Sequence, residues 1–186
     1  MRAWVWIVLG LVGAQPLRAQ VVVQPESPLD STRASLRDAV LVLRDSLVTI
    51  DAAAGRLQRD YREASGASLL SRARVMRDAC ARSVRTIPGT RSEILNAKLS
   101  SSKRLQARTE LVSAIDTLKG VLTWCEKEFA AMSRPDQSET VRGYGNDRAV
   151  RVLGGLRRYE QSMRNFLALM GIRVTPLGVT PRSAAG

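Results

Sequence analysis

The chain has 186 residues, no histidine, 4% aromatic residues and a formal charge of +12, with 29 Lys and Arg set against 17 Asp and Glu. Without histidine it can form no Ser-His-Asp or Cys-His arrangement, no Glu-x-x-His di-iron site and no haem-attachment Cys-x-x-Cys-His. The remainder is rich in Leu, Ala, Val, Arg and Glu, which favours helix, and the shortage of Tyr and Phe argues against a β-rich fold.

Met1 and Arg2 give a short basic start, and Ala3 to Val12 form an apolar run well short of the roughly 20 residues that span a bilayer. Leu17-Arg18-Ala19 resembles the small-residue cleavage pattern of a secretory signal, so residues 1–19 are expected to be a signal peptide and the mature chain to begin at Gln20. Val12-Gly13-Ala14 fits the same pattern. The expected location is therefore periplasmic or extracellular, with no transmembrane segment after cleavage. Residues 20–28, with Pro25 and Pro28, read as an extended leader.

Helix A is predicted to start at an Asp30 or Ser31 cap. Its seam is Leu36, Val40, Leu43, Leu47, Ile50, Ala54, Leu57, Tyr61 and Ala64, an unbroken 3.5-residue period as in coiled coils. Gly66 is the expected stop, with Ser68 capping helix B. The helix B seam is Leu69, Ala73, Met76, Cys80, Val84 and Ile87, and Pro88-Gly89 is expected to interrupt it before a second segment from Ser92 to Leu99. The chain is expected to reverse at Ser100-Ser101-Ser102.

Helix C is predicted from Lys103 to Ser133, with Leu105, Val112, Ile115, Leu118, Leu122, Cys125, Phe129 and Met132 inward, ending before Pro135. A loop through Gly143-Tyr144-Gly145 is expected to lead to helix D, capped by Asn146 or Asp147. Its seam is Val152, Leu156, Tyr159, Met163, Phe166 and Met170, with Gly171 as the stop. Gly154-Gly155 inside this helix points to close backbone packing. The tail 172–186 is expected to be loose. The fold class is thus all-α: an antiparallel up-down-up-down four-helix bundle over 29–171 with long, coiled-coil-like helices.

Cys80 and Cys125 fall at similar heights on facing seams when measured from the turns, so they are expected to form a disulfide bond, as an oxidising compartment permits. Trp124, one turn after Gly120, is expected to lie over that glycine, close to the disulfide and partly buried. Arg74, Arg77, Arg82 and Arg85 project from helix B on the side away from Cys80 and form a candidate anion-binding face. The alternative reading of these four residues is an ordinary charged face that only keeps the helix solvated.

No catalytic, cofactor-binding or metal-ligating residues are identified. Glu126 and Glu128 diverge on a helix, the methionines sit at core spacing, and Gly143-Tyr144-Gly145-Asn146 lacks the Lys and Ser or Thr of a phosphate loop. The expected role is that of an exported, non-enzymatic structural, adaptor or chaperone-like envelope module. The alternative is a binding module for a lipid head group or acidic polymer. The expected partners are another envelope protein or an anionic surface, and not nucleic acid.

Overall fold

A computed structural model describes residues 28–174 and Leu177. The expected signal peptide, nearly all of the leader, and the end of the tail lie outside these residues. Four α-helices make up the fold, with no strand among the described residues: α1 (Pro28–Asp60), α2 (Gly66–Asn96), α3 (Ser102–Met132) and α4 (Ser138–Leu169). At 1.5 Å per residue each extends roughly 46–50 Å.

The sense of the helices is read from the contacts between them. Along α1, Ser35 donates to Glu93, the Ala39 carbonyl accepts from Thr90, Ser46 meets Thr86, and the Arg56 carbonyl accepts from Arg72, so α2 runs the opposite way. Cys80 with Cys125, Arg91 with Asp116, and Arg108 with the Leu95 carbonyl reverse α3 against α2. Glu128 with Arg148, and Arg104 with the Leu169 carbonyl, reverse α4 against α3. The helices form a ring in chain order, closed by α1 against α4. The ring is a squashed diamond, in which α2 and α4 touch across the diagonal and α1 and α3 do not.

The seams fill the centre. Leu36, Val40, Leu43, Leu47, Ile50, Ala54 and Leu57 of α1 are fully buried, as are Val152, Leu156, Tyr159, Met163, Phe166 and Met170 at the α4 end. Period alone placed these residues inside, because on a long helix only one stripe can face the partners.

Three arginines close the helix ends with side chains from neighbouring helices. Arg142 donates to the carbonyls of Tyr61, Arg62 and Ala64 where α1 ends. Arg108 reaches Leu95 and Ala97 at the end of α2, and Arg104 reaches Leu169 at the end of α4. Terminal carbonyls have no intrahelical partner, and a planar guanidinium spreads its donors over separate nitrogens in a fixed fork, where an ammonium has a single nitrogen. Only four of the 29 basic residues are lysine, and this bonding gives part of the arginine excess a structural use. At Gly171, with φ 73°, α4 stops as expected: Gly171 N–H donates to Ala168 and Ile172 N–H to Leu167, a Schellman motif.

The helix ends and some of the predicted breaks differ from expectation. Helix α1 begins at Pro28, a favoured first-turn position, so Asp30 and Ser31 lie inside it. Ser65 caps α2, accepting from Ser68 N–H, and Gly66 is the first residue of α2, not the stop of α1.

Helix α2 runs unbroken through Pro88. A mid-helix proline costs about 3 kcal/mol. Buried Ile87, Thr90 and Ile94, the bond from Thr90 to Ala39 and the cystine one helical stretch earlier hold both sides of it in line, while Pro88 itself faces solvent.

In α3 the inner positions near the start are Ala107 and Leu111, and Leu105 is exposed. Stepping back four residues at a time from Ile115 gives Leu111 and then Ala107, so Leu105 falls off the stripe.

Finally, α4 starts at Ser138 and passes through Gly143-Tyr144-Gly145, where a loop was expected. Val141, Gly145, Ala149 and Val152 are buried in one continuous stripe. A Cβ on Gly145 would lie 3.2 Å from Val141 Cγ1 and 3.3 Å from Leu57 Cδ2, so this glycine is a packing residue, not a turn signal.

The chain turns back after Gly171. Ile172, Val174 and Leu177 pack against the core, and Leu177 N–H donates to the buried Glu160 carboxylate. The first part of the tail expected to be loose is therefore seated on the bundle.

Candidate functional site

Cys80 and Cys125, both fully buried, meet at disulfide-bonding distance with Cα atoms 6.2 Å apart, at the heights expected from the turns. This anchors α2 to α3 near the middle of each helix and fixes which side of α2 faces outward.

On that outer side Arg74, Arg82 and Arg85 are exposed, and Arg77 is half-buried. The four do not act alike. Arg77 Nε lies 2.8 Å from Asp78, and this hydrogen bond, aided by the charges of Arg77 and Arg82, holds the Asp78 carboxyl below the usual carboxylate range. Asp78 thus cancels one positive charge within the face, leaving Arg74, Arg82 and Arg85 as the outward guanidiniums. Angle around the helix places the four arginines together, and the pairing of Arg77 with Asp78 sets one of them apart. Their neighbour Arg72 leans toward α1, where it donates to the Arg56 carbonyl beside an open groove of about 290 Å³ lined also by Ser68, Ser71 and Val75.

A second polar cluster, on α3 and α4, was not read from the sequence. Trp124 is partly buried, as expected, but it does not lie over Gly120, which faces open space. Its ring carries the Arg151 guanidinium, whose carbon stands 4.1 Å from the ring centroid. Arg148 stands 5.2 Å from the Tyr144 centroid and 3.4 Å from Glu128. The Tyr144-Arg148 spacing of four residues was legible as a helix-surface pair once the helix was known to extend there. The partnership with Trp124 was not, since it depends on which faces of two helices meet.

A further open cavity of about 410 Å³, where the start of α1 meets the end of α2, is lined by Thr32, Ser35, Glu93, Asn96 and Lys98. Its polar groups are partly spent on one another, Ser35 donating to Glu93 at 2.9 Å. Among the described residues no group of His, Cys, Asp and Glu could hold a metal ion, and no helix is long and apolar enough to cross a membrane. No protein-family model, curated protein or solved structure matches the chain.

Proposed function

We propose that this protein is an exported, non-enzymatic helical bundle that works as a binding module, engaging an anionic surface through the outer face of α2. The observation that supports this reading is the outward projection of Arg74, Arg82 and Arg85 from a helix held in register by the Cys80–Cys125 cross-link. Guanidinium groups fixed on one rigid face bind phosphate or carboxylate without ordering a mobile segment first. Export follows from the signal-like residues 1–19, and an oxidising compartment agrees with a cystine. In that setting the partner is an anionic lipid head group or acidic polymer of the envelope, not nucleic acid.

An adaptor role toward another envelope protein is the second reading, favoured by Val42 and Val48, which are 58% and 45% exposed on α1.

Sedimentation with vesicles separates the two. Binding to anionic vesicles at low salt should weaken as salt rises. Changing Arg74, Arg82 and Arg85 together to Gln should abolish it with the helical circular dichroism intact, while Arg77→Gln alone should have a smaller effect because Asp78 already holds that charge. Equal sedimentation of the triple variant and wild type would discard the reading. Sequencing of the exported protein should begin at Gln20.

A further inference from the structure

Asp147 and Arg151 stand one turn apart on α4, a spacing at which opposite charges ordinarily pair across the helix surface. Here they do not pair with each other, and among the described residues neither is matched to another charged side chain. Arg151 is drawn onto the Trp124 ring instead, at 4.1 Å. One turn along the helix from Tyr144, Arg148 is neutralised by Glu128 at 3.4 Å. These groups, Trp124, Glu128, Asp147, Arg148 and Arg151, line an open cavity of about 290 Å³ between α3 and α4.

Arg148 and Glu128 pair through Nε and Oε2, which leaves Arg151 and Asp147 as the cation and the anion of this cavity that have no ion-pair partner among the described residues. An arginine stacked on an aromatic ring keeps its in-plane N–H groups for an oxyanion. The Asp147 carboxylate offers acceptors to an ammonium. The two residues are separated by about 6 Å along the helix axis, which an ammonium and an oxyanion a few bonds apart can bridge with a hydrogen bond at each end. The volume is at the lower limit of ligand pockets, about 300 Å³, and so suits a small molecule better than a polymer.

We propose that this cavity binds a small zwitterion, its oxyanion on Arg151 and its ammonium on Asp147, with the chemistry of a free α-amino acid or of a phosphoethanolamine head group. The inference does not depend on the α2 face, because every group in it belongs to α3 or α4.

Trp124 reports on the site directly. Its indole N–H resonance in the labelled full-length protein is followed during titration with alanine, phosphoethanolamine, acetate and methylammonium. At least one zwitterion should shift it saturably, with affinity about tenfold or more above that for either single-charge ion. Saturation by alanine alone assigns an amino acid, by phosphoethanolamine alone a head group, and by both the shared chemistry. Asp147→Asn should weaken zwitterion binding about tenfold while leaving the acetate response unchanged. Arg151→Gln should remove both responses. Both side chains are exposed, and an unchanged far-ultraviolet circular dichroism spectrum verifies that the variants fold. Acetate binding as tightly as the zwitterions, wild-type affinity in Asp147→Asn, or no saturable shift with any of the four would overturn the proposal.

Discussion

Replacing Gly154 and Gly155 one at a time by alanine should move the stability of the bundle in opposite directions. A Cβ on Gly154 meets nothing within 4 Å. Gly154→Ala should therefore deliver the ordinary helical gain of alanine over glycine, about 1 kcal/mol. A Cβ on Gly155 would come to 3.0 Å from Val121 Cγ1, 3.2 Å from Cγ2 and 3.3 Å from Cβ. The contact is with the branched end of a β-branched side chain, which has one strongly preferred rotamer in a helix and cannot swing aside. Val121 also sits one turn before the cross-linked Cys125, which restrains α3 from backing away. Overpacking of this kind costs about 1–3 kcal/mol, so Gly155→Ala should be a net loss of up to about 2 kcal/mol after the helical gain. In a chain of this size 1 kcal/mol moves the melting temperature by about 2–4 °C. Thermal melts followed by circular dichroism should rise for Gly154→Ala and fall for Gly155→Ala. Adding Val121→Ala should cost less in the Gly155→Ala background than in wild type, a coupling that a double-mutant cycle reads directly. Equal shifts for the two glycines, or strict additivity with Val121→Ala, would refute the close approach of α3 and α4.

The cystine closes a sequence separation of 45 residues, so in the chain-entropy model reduction should cost about 4 kcal/mol. The melting temperature should fall by about 8–16 °C, and intact mass after alkylation without reductant should show no modified thiol. Arg142→Met should cost about 1–3 kcal/mol by stripping the α1 end of its donors. Arg142→Lys should restore only part of this, because a single ammonium nitrogen replaces the two guanidinium nitrogens that divide the three carbonyls between them; denaturant midpoints measure both. The buried Tyr159 hydroxyl has no hydrogen-bond partner among the described residues, so Tyr159→Phe should be neutral or stabilising by about 1 kcal/mol in the same assay. Burial pushes the Tyr159 phenol above its ordinary value of 10.0, with the Glu160 charge adding to this. The folded state thus keeps a proton that the unfolded chain releases. Tyr159 favours folding fully below pH 10, and this contribution is lost as the pH rises beyond it. Tyr159→Phe should flatten the alkaline fall in stability, and identical alkaline profiles would contradict the burial.

Hydrophobic period and turn spacing determined the all-helical class, the buried stripes of α1 and α4, the end of α4 at Gly171 and the pairing of Cys80 with Cys125. These are local or additive properties: a stripe repeats along one helix, and the height of a residue is a count from its turn. Angle around α2 likewise put Arg74, Arg82 and Arg85 on the outside. The meaning of individual breakers was decided elsewhere. Pro88 and Gly145 carry strong local signals for interruption, yet Ile87, Thr90 and Ile94 on either side of one, and Leu57 against the other, hold the helices continuous. Glycine as a turn and glycine as a point of close approach look the same in sequence, since they differ only in what lies opposite. The same is true of Trp124. Its own helix offered it Gly120, and a neighbouring helix offered Arg151; a guanidinium on an indole face is favourable by about 0.5–2 kcal/mol. Which of the two it meets depends on how α3 and α4 are rotated about their axes, and that rotation is set jointly by every side chain packed between them.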